Sequence, residues 1–390
     1  MQVFDSGAVP PMTFGAGRLA DAPEITSELG ASRVLVVADA ILVELGVTAR
    51  LEQSLSAAGI GVEMAADIMG EPKDSLVDGL AERARETGCD AVIGLGGGAA
   101  MDAAKLVAGI ACADESALHY ALCANPYPSE RLPAIAIPTT AGTGSEVTRT
   151  SIVSKADGLK YWYWGEELMF AHALLDPELT VSLPPHVTAW TGIDAVAHAL
   201  EAVTSRSVNA VGRLYGLQAL ELLSDALPRA VRDGTDVDTR GRVLWGATVA
   251  GLALHNCNTH MGHNISHALG SLASVHHGLA TGLALEVTLP WLVERSEGRE
   301  NYAAAAAALG ASGYASSLPP RFAELMRECG IDRVLPESCI GMSPATLSEQ
   351  MQSSANIGMS RNAACEVTSA DLDMAAADML ALAPARVAIA

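Results

Sequence analysis

Aromatic side chains are scarce in this chain: phenylalanine, tryptophan and tyrosine together make up 4% of its 390 residues. Half of the residues are nevertheless hydrophobic, so the core must be built mainly from Ala, Leu, Val and Ile. A chain of this length exceeds the size at which a single hydrophobic core usually stops growing. We therefore expect a globular protein with two domains.

Positive charge is also in short supply. The sequence has 24 Lys and Arg residues against 45 Asp and Glu residues, which gives a formal net charge of −21. Nucleic acids and anionic membranes are bound through cationic surfaces that neutralise phosphates. We expect a small-molecule substrate, and neither a nucleic acid nor a membrane as partner.

Signals for export are missing as well. Residues 1–7 contain no basic and apolar leader, and no apolar run approaches the roughly 18 residues that a membrane helix requires. The seven cysteines are odd in number and form no C-x-x-C pair, which is typical of reduced thiols. Cys257 lies beside a group of histidines, but we expect it to be structural. These absences predict a cytoplasmic protein.

The first half of the chain alternates between two patterns. Residues 33–38, 90–95 and 133–137 are short, continuous apolar runs, as expected of parallel strands buried on both faces. Residues 76–87 and 99–110 lie between these runs and have helical periodicity. This alternation predicts an α/β domain with a parallel sheet.

The pattern changes near Leu183. Residues 208–227, 238–256 and 300–309 are rich in Ala and Leu, have helical periodicity and contain almost no β-branched runs. We therefore predict two domains. An α/β domain covers residues 1–183 and an all-helical domain covers residues 184–390.

Three consecutive glycines, Gly96, Gly97 and Gly98, follow the apolar run at 90–95. Glycines allow the backbone to approach a ligand closely, and a helix that begins beyond them presents free N–H groups to an anion. The segment is not a Walker loop, because no Gly-Lys-Ser/Thr follows. A pyrophosphate site is the favoured interpretation, and a tight strand-to-helix turn is the alternative.

Two other segments point to the same edge of the predicted sheet. Residues 138–148 follow the run at 133–137 and are rich in Thr and Gly, and Asp39 closes the run at 33–38. Ligands of parallel sheets bind at the carboxyl ends of the strands. A carboxylate at position 39 would accept hydrogen bonds from an adenosine ribose and repel a 2′-phosphate, which favours NAD over NADP. A helix cap is the alternative role for Asp39.

The second half of the chain contains donors spaced for a metal ion. Asp194 and His198 are four positions apart, as are His263 and His267, and His277 follows ten residues later. Positions i and i+4 share one face of a helix, so two helices would each offer a pair of donors. Imidazoles with one carboxylate suit iron(II) or zinc better than magnesium or calcium. A single carboxylate would leave a divalent site with net positive charge.

The histidines also have a structural interpretation. Six of the ten histidines fall between positions 255 and 277, a clustering that is also compatible with a polar seam between helices. We favour a metal or proton-transfer site, because a buried imidazole without a partner is costly.

Taken together, these motifs resemble those of the group III iron-dependent alcohol dehydrogenases, and they occur in order along nearly the whole chain. The matching motifs are Gly96-Gly97-Gly98-x-x-x-Asp102-x-x-Lys105, the turn from Pro138 to Glu146, Gly192-x-Asp194-x-x-x-His198, His263-x-x-x-His267-x-Leu269-Gly270, and His277-Gly278.

The resemblance implies a fold and a set of site residues. The implied fold is a parallel dinucleotide-binding α/β domain followed by an all-α domain, with the site in the cleft between them. The implied metal ligands, for iron(II) or zinc, are Asp194, His198, His263 and His277. His276 precedes His277, and the following Gly278 favours His277 as the ligand. The implied contacts to NAD are Asp39, Gly97, Gly98, Asp102, Thr139, Thr140, Thr143 and Lys160.

The resemblance also implies an activity, namely reversible hydride transfer between NAD(H) and a small alcohol or aldehyde. The metal would act as a Lewis acid on the carbonyl oxygen, and His267 would supply the proton. The implied assembly is a homodimer or larger homo-oligomer. The alternatives are a zinc-dependent enzyme similar to glycerol dehydrogenase or maleylacetate reductase and, more remotely, a metal hydrolase.

Arg149 departs from the family pattern, which tends to have an uncharged residue there. An arginine can bind a carboxylate, phosphonate or sulfonate through two parallel hydrogen bonds, so a substrate with an anionic end, such as phosphonoacetaldehyde, is one interpretation. A salt bridge to Glu146 or to a surface acid is the other. The aromatic run 160–164 predicts an apolar wall or an interface.

Overall fold

The computed structural model describes residues 3–155 and 158–384. These residues form two compact units. The α/β unit contains Ala8–Ser182, as far as described, with Thr235–Thr248. The helical unit contains Leu183–Gly234 and the described parts of Val249–Ala390 and Met1–Gly7. The segment 1–7, for which we expect no leader, includes residues 1 and 2, which lie outside the described residues.

The α/β unit contains a six-stranded parallel sheet with the strand order β1-β8-β5-β4-β2-β3. A separate antiparallel hairpin pairs β6 with β7. The strands are β1 (Met12–Phe14), β2 (Arg33–Asp39), β3 (Gly61–Ile68), β4 (Ala91–Gly96), β5 (Ala134–Pro138), β6 (Thr150–Ser154), β7 (Lys160–Trp164) and β8 (His172–Leu175).

Helices cover the sheet because its strands are apolar on both faces. The helices of this unit are α1 (Ala22–Glu28), α2 (Ile41–Glu44), α3 (Val47–Ala57), α4 (Asp74–Thr87), α5 (Gly98–Ile110) and α6 (Ala117–Tyr120). Side chains alternate between the faces of a strand. Val34 and Val36 therefore share one core with Leu51 of α3. Gly94 of β4 lets α5 approach closely, since a Cβ there would lie 2.9 Å from the Cβ of Ala104.

The helical unit is built around α7. Every residue from 191 to 204 in this helix is buried, which is the pattern of a helix surrounded by others. The helices from here to the C-terminal end of the described chain are α7 (Pro185–Thr204), α8 (Ala210–Arg232), α9 (Val237–Cys257), α10 (Met261–Leu272), α11 (His277–Arg295), α12 (Arg299–Ala308), α13 (Leu318–Glu328), α14 (Pro344–Met351), α15 (Ile357–Arg361) and α16 (Ser369–Leu380). The first part of α9 belongs to the α/β unit.

The predicted fold class is confirmed: a parallel α/β sheet is followed by a helical region. The three predicted strands and five predicted helices are present with ends shifted by a few residues. The apolar runs of the sequence do not predict the hairpin of β6 and β7, whose paired strands include the aromatic run at 160–164. No helix of the described residues is long and apolar enough to cross a membrane. All seven cysteines are free, and Cys257 is buried.

Candidate metal centre and cofactor loop

Helix α7 carries the first part of the candidate metal centre. Asp194 and His198 lie one turn apart on this helix, and both are buried, with exposed fractions of 3% and 5%. A carboxylate and an imidazole inside an apolar helix bundle are costly to bury unless they are paired or bind an ion. The burial of these two polar groups therefore indicates a functional site.

Two further helices complete the centre. His263 lies in α10, and His277 is the first residue of α11. The Nε2 atoms of His263 and His277 each lie 3.7 Å from Oδ1 of Asp194, and one ligand atom from each of the three residues lies within 4.8 Å of the others. The two predicted pairs lie on α7 and α10, and the turn between α10 and α11 brings in His277 from a third helix, which the spacing did not predict.

The remaining two histidines of the predicted site lie around this group. The ring of His198 stacks on that of His263, with 4.5 Å between the centroids. The ring centroid of His267 lies 5.2 Å from that of His277 and 6.2 Å from that of His263. The structure thus brings together all five residues that the spacing singled out, with Asp194, His263 and His277 as the tightest group.

His276 occupies a different place from His277. Its ring centroid lies 5.0 Å from that of Trp190, and burial lowers the pKa of this histidine. The backbone fixes His277 instead, because α11 approaches α7 very closely at Gly278. A Cβ at position 278 would lie 2.0 Å from the carbonyl oxygen of Trp190 and 3.0 Å from the Cβ of Asp194. Glycine is therefore required at the residue that follows His277.

The donor set fits a single transition-metal ion. Oδ1 of Asp194 and Nε2 of His263 are buried and make no hydrogen bond, an arrangement that protein structures avoid unless another group satisfies the atoms. Donors bound to one ion at about 2.0–2.2 Å lie no more than about 4.4 Å apart, and the observed 3.7 Å separations meet that limit. Two or more imidazoles with one carboxylate suit iron(II) or zinc.

Glu201 is a buried carboxylate beside the centre that the sequence analysis missed. It lies on α7, is fully buried, and accepts a hydrogen bond of 2.6 Å from Nδ1 of His263. Burial alone would raise its pKa, but His260 and His263 and their hydrogen bonds hold the pKa at about 2. Asp194 is the one carboxylate among the three converging donors, and Glu201 places a second negative charge behind His263. Glu201 follows Asp194 by seven positions and so lies on the same face of α7, and this spacing is the sequence feature that could have indicated it.

The glycine triplet lies where three neighbouring strands end. Asp39 ends β2, Gly96 ends β4, and the backbone N–H of Gly97 donates a 2.7 Å hydrogen bond to Oδ2 of Asp39. Gly96 has a φ of 153°, and a Cβ there would lie 2.4 Å from the same oxygen. Asp39 is thus not a helix cap: it holds the glycine turn, and burial raises its pKa.

The start of α5 is open to an anion. Its N-cap, Gly97, has no side chain that could cap the backbone N–H groups of the first turn. Thr140 and Thr143 border this turn, since a Cβ at Gly97 would lie 3.4 Å from Thr140 and one at Gly98 would lie 2.7 Å from Thr143. The neighbouring Thr139 is buried, and its backbone N–H donates to the carbonyl of Gly96 at 2.9 Å.

Asp102 and Lys160, which the resemblance also assigns to the cofactor, already have protein partners. Oδ1 of Asp102 accepts from the Ser145 hydroxyl at 2.6 Å, and Oδ2 accepts from the backbone N–H of Ile152 at 2.8 Å. Nζ of Lys160 lies 2.8 Å from Oε2 of Glu71. Asp102 therefore ties α5 to β6 and to the turn that contains Ser145.

Lys105 is a buried charged residue of α5. Its Nζ donates to the carbonyl of Thr150 at 2.8 Å and to the hydroxyl of Thr148 at 3.1 Å, and burial lowers its pKa to about 8. These contacts hold the far side of α5 against the start of β6.

Arg149 forms a salt bridge with Glu166 and stacks on Trp164, with 4.3 Å from the guanidinium carbon to the ring centroid. Glu146, the other predicted partner, instead accepts a 2.6 Å hydrogen bond from Thr248. Nε of Arg149 is buried and makes no hydrogen bond, and burial lowers the pKa of the guanidinium. The predicted ion pair with a surface acid is thus present, and Nε of Arg149 remains as a donor without a hydrogen bond.

Comparison with known proteins identifies the family. Residues 10–177 match the model of the iron-containing alcohol dehydrogenases, and residues 188–383 match the model of the C-terminal part of the Fe-containing alcohol dehydrogenase family. The chain belongs to the iron-containing alcohol dehydrogenase family. The resemblance seen in its motifs is thereby confirmed, as is the expected class of activity, oxidoreduction of CH–OH groups.

Several members of this family are similar over most of their length. The probable alcohol dehydrogenase EutG of Escherichia coli (strain K12) is 35% identical over 74% of this chain and 73% of its own length. The sulfoacetaldehyde reductase of Bilophila wadsworthia (strain 3_1_6) is 32% identical over 73% of each chain. The crystal structure of sulfoacetaldehyde reductase from Bifidobacterium kashiwanohense in complex with NAD+ superposes with a TM-score of 0.88 at 27% identity, covering 97% of this chain and 99% of that one.

Proposed function

We propose that this chain is a metal-dependent, NAD(H)-linked alcohol dehydrogenase that also reduces small aldehydes. The observation that carries the proposal is the convergence of Asp194, His263 and His277, in which the buried Oδ1 of Asp194 and Nε2 of His263 make no hydrogen bond. The glycine turn at the start of α5 supports a dinucleotide in the same protein.

Residues of the helical unit provide the metal site. Asp194, His263 and His277, with His198 stacked beside them, would hold one iron(II) or zinc ion. Such an ion, when bound, polarises a carbonyl oxygen as a Lewis acid. His267, one helical turn from His263, is the residue that donates or accepts the proton of the alcohol.

Residues of the α/β unit provide the cofactor site. The turn at Gly97 and Gly98 would hold the pyrophosphate, with Thr139, Thr140 and Thr143 beside it, and Asp39, which accepts from the Gly97 N–H, would meet the ribose. NADH supplies the hydride when it is bound. We assign Asp102 and Lys160 a supporting role, because their charged groups already have partners within the protein.

The deciding experiment follows NADH consumption with a panel of short aldehydes after anaerobic reconstitution with iron(II). We expect turnover with iron(II) and none after chelation. Turnover only with zinc(II) and polyols would favour an enzyme similar to glycerol dehydrogenase. Absence of NADH binding in a fluorescence titration would contradict the proposal and favour a metal hydrolase.

Replacing Asp39 by asparagine tests the cofactor assignment. Asparagine keeps an oxygen that can accept the Gly97 N–H but removes the charge that repels a 2′-phosphate. We expect the ratio of kcat/KM for NADH over NADPH to fall by about tenfold or more, which corresponds to about 1.4 kcal/mol. Asp90→Asn is the matched control, since Asp90 also accepts backbone N–H groups, from Ser32 and Arg33, and should leave the ratio unchanged.

A narrower second candidate concerns the substrate. We propose that the preferred aldehyde has an anionic end that Arg149 binds. Two relatives named sulfoacetaldehyde reductases support this choice. So does the guanidinium itself, which has one buried nitrogen without a hydrogen bond and an ion-pair partner that is 61% exposed.

Arg149→Ala is expected to raise the KM for anionic aldehydes by roughly 10–100-fold, because charge-assisted hydrogen bonds contribute about 1.5–3 kcal/mol. The KM for neutral aldehydes of the same length should change little. Glu166→Ala is the companion variant, since it frees Arg149 from its partner and should lower the KM for the anionic substrates. Equal effects of both variants on anionic and neutral aldehydes would instead identify the ion pair as purely structural.

We also propose that the protein is a cytoplasmic homodimer or larger homo-oligomer. The free thiols support a reducing compartment. Strand β1 lies at one edge of the sheet, and such an edge offers backbone groups for pairing with another chain. Size-exclusion chromatography with light scattering tests the assembly, and a monomeric mass at micromolar concentration would contradict it.

A further inference from the structure

The carboxylate of Glu201 is surrounded by donors from a single neighbouring segment. Oε2 accepts from the backbone N–H of His260 at 3.0 Å and from Nδ1 of His263 at 2.6 Å. Oε1 accepts from the backbone N–H of Gly262 at 2.6 Å, and Nδ1 of His260 lies 3.2 Å away. One side chain of α7 therefore holds both the start of α10 and the imidazole of His263.

The hydrogen bond to His263 has a consequence for its ring. A neutral imidazole carries its proton on one nitrogen only, and the other nitrogen keeps the lone pair that binds a metal. A carboxylate has no proton to donate when it is ionised, so Nδ1 of His263 must carry the proton in this contact. The lone pair then resides on Nε2, the atom that lies 3.7 Å from Oδ1 of Asp194.

We propose that Glu201 is a positioning residue for the metal site, which fixes the tautomer and the orientation of His263 so that Nε2 is ready to bind the ion. Carboxylates behind ligating histidines have this role in other metal sites, where their loss typically weakens metal binding by about 10–100-fold. The inference rests on the proposed function, because it assumes that the donor set binds a metal.

The same carboxylate also has a structural role. The backbone groups of His260 and Gly262 belong to the start of α10, where a negative charge is favourable because it satisfies the free N–H groups and the helix dipole. Removing Glu201 will therefore affect folding as well as His263. A test must separate these two effects.

Glu201→Gln is the primary variant, because the amide has nearly the same shape without the charge. Its NH₂ group cannot accept a hydrogen bond, and when it faces Nδ1 of His263 it stabilises the tautomer with the proton on Nε2. We expect the affinity for iron(II) alone, measured anaerobically by chelator competition without substrate or NADH, to fall by about 10–100-fold.

Asp176→Asn is the matched control. Asp176 is another fully buried carboxylate, and it accepts the backbone N–H groups of Gly17, Leu19 and Glu178, none of which is a histidine. We expect this variant to lose stability, as Glu201→Gln does, but to bind iron(II) as tightly as the wild type. Comparable losses of affinity in both variants would overturn the proposal.

A measurement on the unmodified protein decides the question even when Glu201→Gln does not fold. Nitrogen-15 NMR of the metal-free chain with labelled histidine, with His263 assigned through its replacement, is expected to show the proton on Nδ1. A proton on Nε2, or a folded Glu201→Gln protein with wild-type iron affinity, would overturn this inference alone. Failure of the wild type to bind iron(II) would overturn the proposed function as well.

Discussion

Replacing His263 by alanine is expected to abolish stoichiometric iron binding and to reduce kcat/KM by about a thousandfold. His263 supplies one of the three most closely converging donor atoms, and its Nε2 has no other hydrogen bond. A Lewis acid contributes several kcal/mol to stabilising the transition state, and about 4 kcal/mol corresponds to about a thousandfold in rate. Metal analysis of the purified variant and steady-state kinetics with NADH check the two parts.

His267→Ala is the control that separates metal binding from proton transfer. His267 lies on the same helix one turn later and outside the tightest donor group. We expect this variant to keep its iron, while kcat falls by about a hundredfold or more through loss of the proton donor. Full activity in both variants would contradict the assignment of the site, and loss of iron in both would show that His267 is itself a ligand.

Replacing Gly278 by alanine is expected to disrupt the centre without removing a ligand. The added methyl group would lie 2.0 Å from the carbonyl oxygen of Trp190, a backbone atom that cannot move without displacing α7. Overpacking costs about 1–3 kcal/mol, and more where the backbone must shift. We expect the melting temperature to fall by about 5–10 °C and iron content to drop, since His277 precedes this residue. Differential scanning calorimetry and metal analysis measure both effects.

Gly282→Ala is the matched control on the same helix, one turn further along. Its methyl group would meet only side-chain atoms, with Sδ of Met326 at 3.0 Å and Cγ2 of Ile193 at 3.2 Å, and the flexible methionine can move aside. Both substitutions gain about 1 kcal/mol of helix propensity, so the difference between them reports the close approach. Equal melting temperatures for the two variants would show that α11 is not held against α7 at Gly278.

The sequence was most informative where local periodicity decides the structure. The i and i+4 spacing correctly predicted that Asp194 and His198 share a helix, as do His263 and His267. Continuous apolar runs located the central strands, because parallel strands are buried on both faces. The glycine triplet forms the strand-to-helix turn between β4 and α5, where the sequence favoured a pyrophosphate site.

The sequence was less informative where long-range packing decides the structure. The position of His277 on a third helix depends on how the chain turns after α10. The ion pair of Arg149 with Glu166 depends on the distance between these residues in the fold, which no spacing rule provides. The edge strand β1 and the hairpin of β6 and β7 are short and lack a clear apolar pattern. Glu201 escaped notice because a lone glutamate in a helix is usually solvated, whereas here α7 is surrounded by other helices.

The burial of Glu201 also determines the electrostatic character of the centre. A dication bound there would face the carboxylate of Asp194 directly and that of Glu201 through one imidazole, so the formal charges of ion and protein cancel. An electroneutral group is far less costly to keep in an apolar interior than an isolated charge. This charge neutralisation would lower the reactivity of the site, because a more electron-rich imidazole reduces the polarisation of a bound carbonyl by the ion. Glu201 would thus lower the Lewis acidity of a bound ion while it stabilises that ion inside the helix bundle.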